Sequence, residues 1–167
     1  MKTIKYMLLM LGVFVFHQTK AQAVNAVFSP VLHAYLSVEK ALVDDDGKAA
    51  NQQAAEMVKA VQQLNTDKLE AAQKGAWTNY SEKLRFNAQH ISESKSIEHQ
   101  REHFAALSDA VFMLLKNFKP DVTVYREYCP MKKQYWINAS AKIQNPYYGK
   151  KMQDCGKVTA TIKGTAL

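Results

Sequence analysis

Residues 97–118 read IEHQREHFAALSDAVFMLLKNF, and this stretch decides the fold class. Phe104, Leu107, Val111, Leu114, Leu115 and Phe118 recur at spacings of three and four, which gathers them into a broad apolar stripe on one side of an α-helix. The polar run Ser92-Glu93-Ser94-Lys95-Ser96 precedes it. Its serines are good N-cap residues, because a hydroxyl there accepts from backbone N–H groups that a helix start leaves unpaired. Pro120 stops the helix, since proline disfavours helical geometry in the residue before it. A helix with one apolar stripe must bury it against other elements.

Upstream, residues 24–119 supply three more helices. Phe28, Val31, Leu32, Tyr35, Leu36, Leu42 and Val43 fall mostly on one helical face, and Asp44-Asp45-Asp46-Gly47 ends that helix. The acids suit the start of the next helix, over residues 48–64, which is rich in Ala and Gln and presents Ala55, Val58 and Val61 or Gln62. Asn65-Thr66-Asp67 marks a break and a cap. A third helix runs to about residue 90 with Trp77, Tyr80, Leu84 and Ile91 inward, and Gly75 is a point where it can split. Four helices with short polar connections predict an up-and-down four-helix bundle. After Pro120 the pattern changes. Val122-Thr123-Val124-Tyr125 alternates as a short strand does, and the run from Val158 to Ile162 can pair with it. The expected fold is mainly α: a single domain over residues 24–167, in which the bundle (24–119) is covered by an irregular loop and a short β-hairpin (120–167) carrying the two cysteines. At under 50 residues the C-terminal part would be marginal alone, so it must pack on the helices.

Lys2 and Lys5 precede an apolar run over residues 7–16, and Ala21-Gln22-Ala23 follows as an A-x-A site. This is the layout of a secretory signal peptide, residues 1–23. The run is about half the roughly 20 residues that a bilayer span needs. The mature chain is therefore expected to be exported, periplasmic or secreted, with no transmembrane segment. Losing Lys2, Lys5 and Lys20 lowers the net charge from +7 to +4. From Lys119 onward nine basic residues face three acids (Asp121, Glu127 and Asp154), so the C-terminal part carries the excess. Export argues against a nucleic-acid partner. The basic face is either simply solvated or steers an acidic partner or an anionic surface.

The chemistry-bearing residues cluster near the C-terminus. Cys129 has Met131 two residues on, and Cys155 has Met152 three residues before it. Thiolate and thioether are soft donors, which suit Cu(I) better than a hard ion. With only two cysteines, a four-cysteine zinc site is excluded. The same pair in an exported chain is most simply read as one disulfide, closing a loop whose crosslink would be worth about 3 kcal/mol. The two readings are compatible, since a labile pair can do both. His99 and His103 lie four apart at the start of the fourth helix and share a face, with Ala106 and Ala110 continuing it. Small residues there admit a close neighbour, and the Cys/Met loop is the expected one. A helix N-terminus also disfavours protonated imidazole, leaving nitrogen lone pairs for a metal. The zinc-protease helix is excluded, because Glu102 precedes the second histidine rather than following the first. His33 and His90 read as isolated structural residues. No phosphate-binding glycine loop or serine elbow occurs, and Cys129 lacks a helix N-terminus to activate it, so the chain reads as a non-enzyme.

Tyr128-Cys129-Pro130-Met131, Tyr135-Trp136, Asn145-Pro146-Tyr147-Tyr148-Gly149 and Met152-Gln153-Asp154-Cys155-Gly156 together resemble a bacterial exported domain of uncharacterised function. That domain occurs alone or appended to periplasmic adaptor subunits of copper and other heavy-metal efflux pumps. Ala34-Tyr35-Leu36 with Ala41-Leu42-Val43-Asp44-Asp45-Asp46 is similar to its first helix, and Ile97-Glu98-His99-Gln100-Arg101-Glu102-His103-Phe104 to its fourth. Lys132-Lys133-Gln134 stands where the family carries a glycine-containing insert. The resemblance implies heavy-metal handling, with a periplasmic efflux adaptor or another metal-handling protein as partner. On this reading Cys129, Cys155, Met131 and Met152 bind Cu(I) or a similar soft ion. His99 and His103 complete or gate the site, and Trp136, Tyr147 and Tyr148 shield it. The contrasting expectation is a non-enzymatic interaction module in which Cys129–Cys155 is a structural disulfide.

Overall fold

The computed structural model describes residues 27–165, so the expected signal peptide lies outside the described residues. Four helices come first: α1 (Ser29–Val43), α2 (Gly47–Gln63), α3 (Ala71–Glu93) and α4 (Ile97–Leu114). Three strands follow: β1 (Val124–Cys129), β2 (Gln134–Asn138) and β3 (Lys157–Ile162). The molecule is mainly helical, as the apolar stripes require, with a small antiparallel sheet at its C-terminal end.

Local chemistry sets the helix boundaries. Pro30 sits in the first turn of α1, where no N–H is needed. Of the three consecutive aspartates only Asp46 caps α2, its carboxylate accepting from the Ala49 N–H at 2.8 Å. Asp45 turns the chain instead, at φ 59°. Glu70 and Gln73 form a capping box at the start of α3, and Ser96 accepts from the His99 N–H to open α4. α3 runs unbroken through Gly75, which faces solvent, so the expected split does not occur. α4 ends at Leu114 rather than at residue 118, and the chain leaves it through a turn in which the Asn117 and Phe118 N–H groups share the Leu114 carbonyl.

Consecutive helices pack on one another, as their short connections require. The core joins the expected stripes: Tyr35 of α1 stacks on Phe104 of α4 with ring centroids 5.2 Å apart, and Phe28 stacks on Phe118 at 4.8 Å. Trp77 of α3 meets Phe118 edge-on. No helix among the described residues is long and apolar enough to cross a membrane.

The sheet order is β2-β1-β3. β1 pairs with β3 in the expected way, Val124 opposite Ile162 and Tyr125 opposite Thr161. The segment between them is less irregular than expected, because β2 forms a hairpin with β1 through the turn at residues 130–133. The sheet thus has three strands rather than two. β2 escapes a period-two reading because Trp136, Ile137 and Asn138 are buried in succession. Its backbone is tied to the helices by the buried Tyr35 hydroxyl, which accepts from the Ile137 N–H at 3.0 Å and bonds the Ser108 hydroxyl at 2.8 Å. A second tie is Arg101 of α4, buried, which donates to the carbonyls of Pro146 and Leu42 and to the Asp45 carboxylate. Gly149 makes this approach possible. At φ 55° it occupies left-handed backbone, and a Cβ there would lie 2.1 Å from Asp45 Oδ1.

Candidate metal centre

Helical periodicity puts His99 and His103 on one face of α4. That face meets α3, whose last turns bring His90 alongside. The His90 ring stacks on His103 with centroids 4.5 Å apart and planes at 9°, and His99 meets His103 edge-on at 4.7 Å. One ligand nitrogen from each of His90, His99 and His103 lies within 4.8 Å of the other two. The reading of His90 as isolated is therefore corrected. Antiparallel helices joined by a short connection place the end of the first beside the start of the second, and that adjacency was the available signal.

Hydrogen bonds fix which ring nitrogen keeps its lone pair on two of the three histidines. The amide nitrogen of buried Asn87 donates to the Lys83 carbonyl at 2.8 Å, leaving its oxygen to meet His103 Nδ1 at 3.0 Å. His103 Nδ1 therefore carries a proton and Nε2 carries a lone pair. Glu102 does the same for His99, its carboxylate accepting from Nδ1 at 3.1 Å. Such partners hold imidazoles in the tautomer and orientation that metals use. Burial, followed by the neighbouring His90 and His99, holds the His103 imidazolium below its usual range, so the ring stays neutral near neutral pH. The exposed Phe86 ring, centred 4.3 Å from His90, forms an apolar wall. Donors on a tetrahedral ion at 2.0–2.1 Å stand about 3.4 Å apart, so ring rotations displacing the nitrogens by about 1 Å close the set.

The other expected ligands lie apart from this trio. Ala106 and Ala110 face a groove shared with Tyr80, Phe86 and Met113, so the close neighbour on that side is α3 and not the Cys/Met loop. Cys129, buried, ends β1, and half-buried Cys155 stands two residues before β3. Their sulfurs are 4.0 Å apart, about twice a disulfide bond length, so they are free thiols and the expected disulfide is not formed. Met131 is 64 % exposed on the β1–β2 turn, and Met152 is half-buried in the turn whose carbonyl accepts the Cys155 N–H. Among the described residues, no histidine or carboxylate joins the cysteines in a three-donor group. Trp136 and Tyr147 are core residues meeting edge-on at 6.0 Å, while Tyr148 is half-buried. His33, exposed, bonds Asp121 at 2.7 Å.

One buried acid has no role in either cluster. Glu127 of β1 is wholly enclosed, and neither carboxylate oxygen has a hydrogen-bond partner among the described residues. Burial pushes its carboxyl up to about 7, against a weaker downward pull from Asn138, the Gln144 backbone and Trp136. Glu39 of α1 is raised well above the carboxylate range, first by burial and then by Glu127.

Fold and site together define a helical domain with a C-terminal sheet and a three-histidine cluster where α3 and α4 meet. Residues 31–123 match the model of a family described as a protein of unknown function (DUF3347), and the chain belongs to that family. The match ends one residue before β1, so it spans all three clustered histidines and neither cysteine. Neither the curated proteins nor the solved structures gave a match.

Proposed function

We propose that this chain is an exported metal-binding domain that takes up copper, or an ion of similar softness, on His90, His99 and His103, in the service of heavy-metal resistance or transfer to an efflux adaptor. The observation behind this reading is the histidine trio with its Nδ1 groups engaged by Asn87 and Glu102, which leaves Nε2 lone pairs on His99 and His103. Imidazole suits copper, zinc, iron and nickel, and among divalent first-row ions copper binds such sites most tightly. The ligand set thus differs from the one that the sequence led us to expect: two of its members, His99 and His103, gain His90 in place of the thiols. Exposed His99 offers a path for the incoming ion, and the Glu102 carboxylate beside it offsets part of the cation's charge. The signal-peptide layout at residues 1–23 supports export.

Competition titration of the metal-free Cys129→Ser/Cys155→Ser protein with Cu(I) and Cu(II) tests the site without interference from the thiols. His90→Ala, His99→Ala and His103→Ala should each weaken binding at least about 10-fold, by analogy with the 10–100-fold effect of disturbing a ligand's orienting partner. Equal binding by all variants and the parent would remove the proposal. A second reading, the interaction module, draws on β3, whose residues 157–161 are all exposed at the sheet edge. Val158→Lys, at an exposed β3 position, separates the two, because it should abolish partner binding on that reading and leave copper binding unchanged.

A further inference from the structure

We propose that Cys129 and Cys155 form a second, self-contained site for one thiophilic metal ion, bound as a bis-thiolate and independent of the histidine trio. The fold imposes the spacing of the two sulfurs. The two cysteines flank one end of the β1–β3 pairing, in which Tyr128 stands opposite Lys157. The Cys155 carbonyl accepts from the side-chain amide of Asn145 at 2.6 Å. Asn145 is fully buried and is itself held, its N–H bonded to the Gln153 carbonyl and its side-chain oxygen accepting from the Tyr147 N–H. On the other side, Gly156 lets the chain pass against Trp136, where a Cβ would lie 2.7 Å from the indole. On the β1 side the Lys133 N–H closes the turn onto the Cys129 carbonyl at 2.8 Å.

Two sulfurs bound to one ion at 2.3 Å and separated by 4.0 Å subtend an angle of about 120° at the metal, a trigonal value. A disulfide needs the same sulfurs about 2 Å closer. The pair is thus set for an ion as it stands, whereas a bond between the sulfurs requires them to move.

The Lys132 N–H points at the Cys129 sulfur from 3.4 Å. Lys132 and Lys133 place two cations in the same turn. A lone thiolate at the buried Cys129 position is costly, and a bound cation removes that cost. Each thiol gives up its proton to the medium as it ligates, so binding of one ion releases two protons and weakens as pH falls.

The test uses the mature chain with His90, His99 and His103 all replaced by alanine, reduced and handled without oxygen, and titrated with Cd(II). Thiolate-to-cadmium charge-transfer absorption should grow and saturate at one equivalent. Cys129→Ser and Cys155→Ser should each abolish it. Cys155 is half-buried, so its serine variant should retain the parent circular dichroism and keep the test decisive if Cys129→Ser misfolds. The proposal is overturned by no band, by a band that survives both serine variants, or by a Cys129–Cys155 disulfide that mild reductant does not open. A band present in the parent and missing from the triple-alanine variant would also overturn it, by showing that the thiols and histidines share one ion. Absence of copper binding at the histidines leaves this result untouched.

Discussion

Replacing Glu127 by glutamine should stabilise the protein at alkaline pH and leave it unchanged at acid pH. Glu127 is wholly enclosed, with neither carboxylate oxygen hydrogen-bonded among the described residues and Glu39 close enough to repel it. Its carboxyl is raised from 4.5 to about 7 in the folded protein. Between those values the folded state binds a proton that the unfolded chain has released. Stability from this group is therefore complete below about pH 4.5, falls as pH rises, and is lost above about 7. At 1.36 kcal/mol per pKa unit the loss is about 3 kcal/mol. Glutamine keeps the size and carries no charge, so Glu127→Gln should unfold about 3 kcal/mol later than the parent at pH 8. The two proteins should agree at pH 4. Urea unfolding with linear extrapolation, run at both pH values, measures the difference. For a domain of this size that is a rise of about 10 °C in melting temperature at pH 8. A difference of the same size at both pH values would refute the titration argument. A less stable variant at pH 8 would show that the carboxylate is paired after all.

Three further outcomes follow from named contacts. Tyr35→Phe removes the hydroxyl that satisfies the buried Ile137 N–H and should destabilise by about 1–3 kcal/mol in thermal or urea unfolding, with no change if water replaces the hydroxyl. Gly149→Ala adds a Cβ in left-handed backbone against Asp45 and Arg101, so it should cost about 2 kcal/mol or more; a melt like the parent's would contradict the close packing of this turn. Asn87→Ala frees the His103 ring and should weaken copper binding about 10–100-fold while changing the fold little, and unchanged affinity would mean that His103 is not a ligand.

The helices were legible because each carries its own signal. The stripe at residues 104–118 needs one element's periodicity and nothing else, and Ser96 announces its start. What the sequence concealed lies between elements. His90 sits nine residues before His99 on another helix, so no motif read along one helix joins them. Their meeting depends on α3 doubling back beside α4. That same packing explains why the Cys/Met loop does not reach the histidines: the short connection at residues 94–96 puts α3 against the small-residue side of α4. β2 was hidden for a related reason. A strand covered on both faces loses its alternation, and Trp136-Ile137-Asn138 looks like loop. The aspartate run was read as a cap, which holds for Asp46. Asp45 serves Arg101 and the Lys150 N–H, contacts 56 and 105 residues away in sequence.

Of the three imidazoles proposed to hold one metal ion, His90 is the one that α3 alone contributes. Pulsed electron paramagnetic resonance on the Cys129→Ser/Cys155→Ser variant with one equivalent of Cu(II) counts coordinated imidazoles directly. The account predicts three, falling to two when His90 is replaced by alanine. One imidazole or none, or a count that His90→Ala leaves unchanged, would contradict it.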